Sequence, residues 1–402
     1  MSQHLVVLEA TTSGAGLMVL ESARRLGLQV TFLTRDPERY RHHQIGGSLT
    51  DADRVVVVET TSLPHVLACF ETLHRQTPVS GLVCLTDACV EAAAQIAERY
   101  DLPFMAPGAV ALARNKDRTR ALCAELELPG PRFALVSDRG HAAHLATEWG
   151  YPVILKPARG TGSTNVLLCR TPHELAAAFG QIGGRVLMEE FLRGPLYSLE
   201  ALTFDGDTTF LGVTDRVMGD PPAFVEVADA FPARLDPDSY HAACDMVGRL
   251  LAGAGVTFGV THTEFILTAR GPVLVELNPR LAGGLIGPMI SASYGTDIYA
   301  QIIRMALGQR PQLPMVPEQG AAEICLYASR PGRVRAVHGV DVARTFPGVQ
   351  QIVVRARAGD YVQPPVDFRG DYAFLWAVGP NAEMAAARCR AAASAIWLEV
   401  ES

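Results

Sequence analysis

The segment covering residues 263–284 could place three oxygen ligands on one face of a hairpin. Apolar and polar residues alternate on both sides of residues 269–271, which predicts two antiparallel strands joined by a three-residue loop with Gly271 at its left-handed position. This register pairs Glu264 with Glu276, and Asn278 points to the same face as Glu276 because side chains alternate along a strand. Two opposed carboxylates roughly 4 Å apart repel by about 4 kcal/mol at an effective dielectric constant of about 20, so we expect a cation between them.

The ligand types indicate which cation this would be. Carboxylate and amide oxygens are hard ligands, which suit Mg²⁺ carried with phosphates better than zinc. The alternative is an edge hairpin whose glutamates extend into water, and the hairpin taken alone favours this alternative. Other segments of the chain must therefore decide between the two.

A loop rich in Gly, Ser and Thr could hold phosphate. Residues 151–157 predict a short apolar strand that carries Lys156, and residues 158–165 form the loop after it. The backbone N–H groups of such a loop, with a lysine nearby, can bind an anion. The G-x-x-x-x-G-K-[ST] order of a P-loop is missing, and the loop is expected to join two strands rather than to open a helix. An ordinary hairpin turn is the alternative.

A third segment, residues 186–194, predicts a strand that ends in two acids, an aromatic residue and a glycine. The exposed backbone edge at its end could bind an adenine, with a carboxylate accepting a hydrogen bond from the amino group of the base. By itself this segment is not specific for a nucleotide.

Together, in this order and spacing, the three segments resemble the ATP-grasp family, and the resemblance runs from about residue 115 to residue 308. It implies a nucleotide bound between two α+β lobes. It also implies a reaction in which ATP activates a carboxylate as an acyl phosphate, ADP is released, and an amine takes the acyl group.

The resemblance assigns roles to individual residues. Those implied to bind ATP are Lys116, Lys156, Gly160, Thr161, Gly162, Ser163, Glu189, Glu190, Phe191 and Leu192. Among them the lysines would contact the phosphates, and residues 160–163 would be a flap over the phosphates. Residues 188–192 would be the hinge, where Glu189 and the backbone of Glu190 and Leu192 would contact the adenine. The implied ligands of Mg²⁺, or of Mn²⁺ as the alternative, are Glu264, Glu276 and Asn278. Arg280 would grip the transferred phosphate or the substrate carboxylate, so Arg280 and Lys156 are the implied catalytic residues.

Two positions depart from the family pattern. Members often carry Glu in a G-x-E-Y-S segment after the hinge, where this chain has Leu196, so a ribose contact is missing or supplied elsewhere. Many relatives also have a Glu-x-Gly-His segment where this chain has Glu226 followed by Asp229. We interpret the second departure as variation on the substrate side, with Glu226 still near the site.

The composition predicts a multidomain enzyme that works inside the cell. The chain has 402 residues and a formal net charge of -7 without a basic run, which disfavours nucleic acid and anionic membranes as partners. No apolar run is long enough to span a bilayer, and the first residues lack a basic n-region, so export is not expected. Eight cysteines without C-x-x-C pairs agree with a reducing compartment, and we expect a cytoplasmic protein, with a homodimer left open.

The element pattern predicts three parts, with an α/β and α+β multidomain fold. Residues 1–112 alternate strands and helices, which predicts a parallel Rossmann-like sheet in the position of the family's N-terminal domain. Residues 113–310 are expected to form the ATP-grasp domain, with residues 113–187 as the smaller lobe and 188–310 as the other. Residues 311–402 are expected to form a small C-terminal α+β unit after a proline-rich connector.

The first strand and helix also raise a dehydrogenase as a minor alternative. The turn at residues 11–16 is glycine-containing, but Val19 replaces the third glycine of G-x-G-x-x-G, and no acid closes the second strand. Asp87 follows the fourth predicted strand and could bind an amine or cap the next helix, and capping is the favoured interpretation.

The non-nucleotide side indicates which branch of the family the chain is similar to. Biotin carboxylase-like enzymes are disfavoured, because residues 281–288 lack their V-E-H segment and Phe224 stands near where their lysine is expected. The pattern N-P-R-L-x-G-G and the C-terminal unit look most like the L-amino acid ligase type, which implies small-molecule carboxylate and amine substrates, at least one an amino acid. The alternatives are a ligase of nucleotide biosynthesis that uses ammonia or another amine, and a non-catalytic ATP-binding protein.

Overall fold

The N-terminal residues form a four-stranded parallel sheet between helices. A computed structural model describes residues 2–12, 15–41, 45–162, 164–219, 224–365 and 370–401. The sheet has the order β3-β2-β1-β4. Its elements are β1 (His4–Leu8), α1 (Met18–Arg25), β2 (Gln29–Thr34), β3 (Arg54–Val57), α2 (Leu63–Gln76), β4 (Val79–Val83) and α3 (Val90–Arg99), with 3₁₀ turns at Pro37–Tyr40 and Leu49–Asp51.

The parallel sheet confirms the fold class expected for this part. All five residues of β1 are buried, as a strand covered on both faces requires. The residue pattern predicts the first helix over residues 14–26; Gly14 lies outside the described residues, and α1 begins at Met18. Two further helices, α4 (Pro107–Ala113) and α5 (Lys116–Glu125), lead out of this part of the chain.

A four-stranded sheet of the order β5-β8-β6-β7 follows. Its elements are β5 (Phe133–Val136), α6 (Arg139–Trp149), β6 (Val153–Pro157), β7 (Leu167–Cys169), α7 (Pro172–Phe179) and β8 (Val186–Glu190). The glycine loop joins the antiparallel strands β6 and β7, as predicted, and opens no helix. The predicted lobe boundary between residues 187 and 188 falls inside β8, because β8 pairs with β5 and β6 over its length.

The largest sheet has eight strands in the order β13-β12-β9-β10-β11-β14-β18-β16. Its first five strands are β9 (Leu196–Phe204), β10 (Asp207–Met218), β11 (Glu226–Phe231), β12 (Gly259–Thr268) and β13 (Gly271–Asn278), with the helices α8 (Pro237–Gly253), α9 (Ile286–Tyr294) and α10 (Ile298–Ala306). The remaining three strands come from the C-terminal residues, so that part of the chain continues this sheet and shares its hydrogen bonding.

The C-terminal elements are β14 (Gly320–Tyr327), β15 (Gly332–His338), α11 (Val340–Arg344), β16 (Val349–Val354), β17 (Tyr361–Val362), β18 (Asp371–Gly379), α12 (Ala382–Ala393) and β19 (Trp397–Glu401). Strands β17, β15 and β19 form a separate small sheet, which the sequence did not predict. Across the described residues, no helix has the length and apolar character needed to cross a membrane.

The hairpin of β12 and β13 has the predicted pairing but not the predicted loop. Glu264 lies opposite Glu276, as expected. Thr268 pairs with Gly271, so the loop has two residues rather than three. A bulge between the pairs of Glu264 and Phe265 adds the residue that restores the expected register. The correct pairing therefore depends on a bulge that alternation of residue types could not reveal.

Apolar cores cross from the N-terminal sheet to the large sheet. In one of them Phe70 and Val90 pack with residues of β9 and β13, among them Leu199 and Leu274. At Gly81 a Cβ would lie 2.7 Å from the carbonyl oxygen of Ala306, so the close approach of β4 to α10 requires glycine. The N-terminal sheet is thus packed directly on the part of the chain that carries the hairpin.

Candidate functional site

Two cavities meet at the hairpin glutamates. The lobe cavity, about 460 Å³, lies between the four-stranded sheet of β5 to β8 and the large sheet. The acidic cavity, about 310 Å³, lies between the N-terminal sheet, the hairpin and the C-terminal strands, and six of its lining residues are acids. Both cavities are lined by the same six residues: Leu196, Arg216, Met218, Phe224, Glu264 and Glu276.

The lobe cavity brings together most of the residues expected at the nucleotide. Its lining includes Lys116, Lys156, Glu189, Glu190, Phe191 and Leu192. Apolar side chains of both sheets, such as Ile154 and Leu274, complete the wall. A cavity of this size with an apolar wall and a few charged groups is what a nucleotide-sized ligand requires.

Glu189 occupies the centre of a buried ion-pair set that the sequence did not predict. Its Oε2 lies 2.6 Å from Nζ of Lys156, and its Oε1 accepts a hydrogen bond of 2.9 Å from Nε of Arg120. Burial alone would raise the pKa of Glu189, but the charges of Arg120 and Lys156 outweigh burial and lower it. Both carboxylate oxygens are therefore engaged by cations of the protein, and the adenine contact expected of Glu189 stays a prediction.

The next hinge residue, Glu190, also has partners within the protein. Its backbone N–H donates to the carbonyl oxygen of Arg132 at 3.0 Å, and its carboxylate accepts from Arg270 at 2.7 Å. Gly194 closes the hinge against β12, where a Cβ would lie 2.1 Å from the carbonyl oxygen of Leu267. These contacts fix the position of the hinge strand relative to the hairpin.

Lys116 connects the glycine loop to the hairpin. Its Nζ donates to the carbonyl oxygen of Gly160 at 3.1 Å and to Oε1 of Glu276 at 2.8 Å. The flap residues Thr161 and Gly162 line the acidic cavity, and Ser163 lies outside the described residues. One lysine is thus positioned beside both the expected flap and an expected metal ligand.

Glu264 is balanced by two cationic groups, Arg216 on β10 and His262 on the same strand, β12. Its Oε1 accepts from Nη1 of Arg216 at 3.1 Å and lies 3.1 Å from Nε2 of His262. Burial would raise the pKa of Glu264, but the hydrogen bond with His262 and the charge of Arg216 hold it well below its usual range. The carboxylate is therefore ionised, as a metal ligand must be.

The three expected metal ligands all line the acidic cavity, and Glu264 and Glu276 line the lobe cavity as well. Carboxylates and an amide oxygen are the donor set that Mg²⁺ accepts, so these residues fit the group that the resemblance implies. Their role as ligands remains a prediction.

Sequence reasoning missed His262 and its buried partner Glu200. Nδ1 of His262 lies 2.8 Å from Oε1 of Glu200, a side chain with no exposed surface. Burial favours the neutral ring, but the charge of Glu200 and the hydrogen bonds to Glu200 and Glu264 outweigh it and raise the pKa of His262 to about 9. The available signal was the H-x-E spacing on β12, which places His262 and Glu264 on one face of the strand.

Arg280 lines the acidic cavity and is held by the N-terminal domain. Its Nε donates to Oδ2 of Asp87 at 2.8 Å, and its Nη2 donates to the same oxygen. Oδ1 of Asp87 accepts from Arg114 at 2.8 Å. The favoured interpretation, that Asp87 caps the following helix, is wrong. Both of its carboxylate oxygens accept hydrogen bonds from the nearly buried Arg114 and Arg280 instead.

The far wall of the acidic cavity carries a second group of charged residues that the sequence did not reveal as a unit. Nη2 of Arg216 donates to the carboxylate of Glu226. Nε of Arg216 donates to Oδ1 of Asp229 at 3.1 Å. Glu323 lies opposite Asp229 in the pairing of β11 with β14. The available signal was the lone acid within the apolar strand of residues 320–327, which argues for a partner or a ligand.

Three family descriptions match separate parts of the chain. Residues 20–104 match the ATP-grasp N-terminal domain, residues 149–288 match the ATP-grasp domain, and residues 324–401 match the second C-terminal domain of L-amino acid ligases.

Individual relatives extend this similarity over most of the chain. The uncharacterized protein y4rH of Sinorhizobium fredii is 30% identical over 397 residues, which cover 95% of this chain and 80% of that protein. Carnosine synthase 1 of Gallus gallus is 27% identical over 343 residues, but the match spans only 36% of that longer protein. The solved structure of an L-amino acid ligase from Bacillus licheniformis superposes with a TM-score of 0.85 at 20% identity and covers all of this chain and 99% of its own.

Proposed function

The chain belongs to the ATP-grasp family of carboxylate–amine ligases, and from this premise we propose that it uses ATP to activate the carboxylate of one small molecule and joins it to the amine of another, at least one of them an amino acid. The product is an amide or dipeptide, and ADP and phosphate are released. The names of two relatives, carnosine synthase and L-amino acid ligase, support amino acids as substrates.

The observation that carries this proposal is the wall shared by the two cavities. Glu264 and Glu276 face both the cavity that fits a nucleotide and the acidic cavity beside it. A ligase of this type must bring the terminal phosphate of ATP into contact with a carboxylate while keeping the two ligands in separate sites. The shared wall provides that single point of contact.

Glu264, Glu276 and Asn278 would hold Mg²⁺, which when bound neutralises part of the phosphate charge. Lys116 and Lys156 face the lobe cavity, where their ammonium groups would bind phosphate oxygens. Arg280 faces the acidic cavity, where its guanidinium would orient the substrate carboxylate or the phosphate passed to it.

The glycine loop would close over the phosphates and exclude water. Thr161 and Gly162 line the acidic cavity, and Lys116 ties Gly160 to the hairpin. Water exclusion matters because an acyl phosphate reacts with hydroxide as well as with an amine. The attacking groups are those of the substrates, so the reaction requires no protein nucleophile.

We also propose that the reaction takes place in the cytoplasm, because all eight cysteines are free thiols and a reducing compartment keeps thiols free.

We further propose domain boundaries after residues 112 and 310.

The test is incubation of the protein with ATP, Mg²⁺, pooled amino acids and small organic acids, followed by mass spectrometry for new amides and measurement of ADP. We expect an amide that appears in equal amount with ADP and only when both substrates are present. Omission of Mg²⁺ and replacement of Glu276 by Gln serve as controls. ADP formed without any amide, or no ADP with any mixture, would contradict the proposal.

A further inference from the structure

Three carboxyl groups lie together at the end of the acidic cavity that the C-terminal strands close, with Glu226 and Glu323 in its lining and Asp229 buried beside them. Oxygens of Glu226, Asp229 and Glu323, here called the acidic trio, all lie within 4.8 Å of one another. Asp229 is 1% exposed and Glu323 is 5% exposed. Asp229 and Glu323 are directly opposed in the pairing of β11 with β14. Like charges in this arrangement repel, so the trio requires either a positive partner or a shared proton.

Arg216 supplies only part of that positive charge. Its guanidinium contacts Glu226 and Asp229, and it is shared with Glu264 on β12 through a hydrogen bond of 3.1 Å. Arg216 is therefore shared among three carboxylates, of which only Glu264 also has His262 as a partner. Oδ2 of Asp229 is buried without a hydrogen-bond partner among the described residues.

A further buried acid on another strand faces the same cavity. Asp371 on β18 is 6% exposed and lines the acidic cavity. Its Oδ1 accepts from Arg355 at 2.8 Å, whereas its Oδ2 is buried and has no partner in the described part of the chain. Buried polar atoms are normally hydrogen-bonded, so this oxygen is an independent indication of a donor ligand in the cavity.

The pKa values of the acids at this end of the cavity are also shifted. Burial and the negative charge of Glu226 raise the pKa of Glu323 to about 7 and also raise that of Asp229. Burial likewise raises the pKa of Asp371. Negative charge is therefore costly at this end of the cavity, and a positively charged ligand would reduce that cost.

We propose that Glu226, Asp229 and Glu323 bind the ammonium group of the amine substrate. An ammonium group carries three or four N–H donors and one positive charge, which matches three converging carboxyl groups. A divalent metal ion is the competing ligand, and measurement of Mn²⁺ binding distinguishes it from an ammonium group.

The position of the trio suits an amine that must reach the activated carboxylate. One guanidinium, that of Arg216, contacts Glu226 on one side and the expected metal ligand Glu264 on the other. An ammonium group bound at the trio is therefore held in the same cavity as the expected phosphate-transfer point. This inference rests on the proposed function and adds the residues that select the amine.

The test compares a charged and a neutral nucleophile in one reaction mixture. Methylamine is charged at neutral pH, hydroxylamine is largely neutral, and pooled L-amino acids supply the carboxylate together with ATP and Mg²⁺. Mass spectrometry gives the ratio of N-methylamides to hydroxamates. We expect Glu323→Gln and Asp229→Asn each to lower this ratio by about tenfold or more, the difference between a charge-assisted and a neutral hydrogen bond. Glu383→Gln, an exposed glutamate of α12 outside the cavity, should leave it unchanged.

The outcomes separate the two proposals. If the unaltered protein forms neither product and no ADP, the proposed function fails. If it forms both, and both variants keep the ratio of the unaltered protein or lose the two products equally, the ammonium site is overturned. Loss of bound Mn²⁺ in either variant, measured by electron paramagnetic resonance without nucleotide, would assign the trio to a metal instead. Because the ratio is internal to each sample, partial unfolding of one variant does not mimic the expected result.

Discussion

Asp87 at the end of the N-terminal sheet holds Arg280 just after the hairpin of β12 and β13. One carboxylate oxygen accepts from both Nε and Nη2 of Arg280, while the other accepts from Arg114. All three side chains are between 10% and 13% exposed. The N-terminal domain thus sets the orientation of the residue expected to grip substrate.

Replacement of Asp87 by Asn should therefore affect both stability and catalysis. It leaves two nearly buried guanidinium groups without their anion, and we expect a loss of about 3 kcal/mol in the free energy of unfolding, measured by urea denaturation. We also expect kcat/KM for the carboxylate to fall roughly tenfold with the KM for ATP unchanged, because Arg280 loses its fixed orientation. Asp207→Asn, which breaks an exposed ion pair with Arg310, is the control and should change stability by less than about 1 kcal/mol.

The adjacent glutamates of β8 should behave differently. Glu189→Gln leaves Arg120 and Lys156 as uncompensated buried cations, so we expect a loss of about 3 kcal/mol or more in unfolding free energy. Glu190→Gln weakens contacts to Arg132 and Arg270, whose side chains are 59% and 60% exposed, and should cost less than about 1 kcal/mol. Equal losses in denaturation curves of the two variants would contradict the central place given to Glu189.

Glu276→Gln should remove activity in a protein that still folds, although it also lowers stability because Lys116, whose side chain is 10% exposed, loses its anion. The change keeps the shape of the side chain but removes the charge expected to hold Mg²⁺ and to pair with Lys116. We expect amide-linked ADP release to fall roughly 100-fold or more, since a metal ion contributes several kcal/mol of charge stabilisation. Turnover close to that of the unaltered protein, with matching circular dichroism, would rule out the metal assignment.

Gly194→Ala tests the junction between the hinge and β12. The backbone φ of Gly194 is +150°, and a Cβ would lie 2.1 Å from the carbonyl oxygen of Leu267. Relief of this clash must move the hinge, so we expect a loss of about 2 kcal/mol in stability and a higher KM for ATP. Gly183→Ala meets no atom within 4 Å and should change stability by less than about 1 kcal/mol and leave the KM for ATP unchanged.

The raised pKa of Glu323 predicts a specific dependence of stability on pH. Its ordinary pKa is 4.5, and burial with the charge of Glu226 raises it to about 7 in the folded protein. The folded state therefore binds a proton more tightly, and the stability gained from this proton is complete below pH 4.5 and is lost as pH rises through 7. At about 1.4 kcal/mol per pKa unit, the loss is about 3 kcal/mol.

Glu323→Gln removes this proton exchange and isolates its contribution. The unfolding free energy of the variant minus that of the unaltered protein should increase by about 3 kcal/mol between about pH 5 and about pH 8. Chemical denaturation at the two pH values gives the difference directly. A difference that stays constant with pH would show that Glu323 has an ordinary pKa in the folded protein.

The alternation of residue types was sufficient to predict much of the fold. Continuous apolar strands indicated the parallel N-terminal sheet, and alternating residues indicated the hairpin. The opposition of Glu264 and Glu276 was predicted correctly only because the bulge offsets the shorter loop. Apolar runs and apolar–polar alternation are local properties, because burial on both faces or on one face of a strand decides which of its residues are apolar. The small sheet of β15, β17 and β19 was missed because β17 has only two residues and carries no such pattern.

What the sequence by itself determined is the set of local elements and the resemblance that gives Lys116, Lys156 and the hairpin acids their expected roles. The tertiary structure alone decided which charges compensate one another. Asp87 with Arg280, Glu189 with Arg120, and Arg216 with the acidic trio join residues between 10 and 193 positions apart in the chain. Ionic partners are set by distance and burial in the folded protein, and neither quantity is encoded in the spacing of residues along the chain.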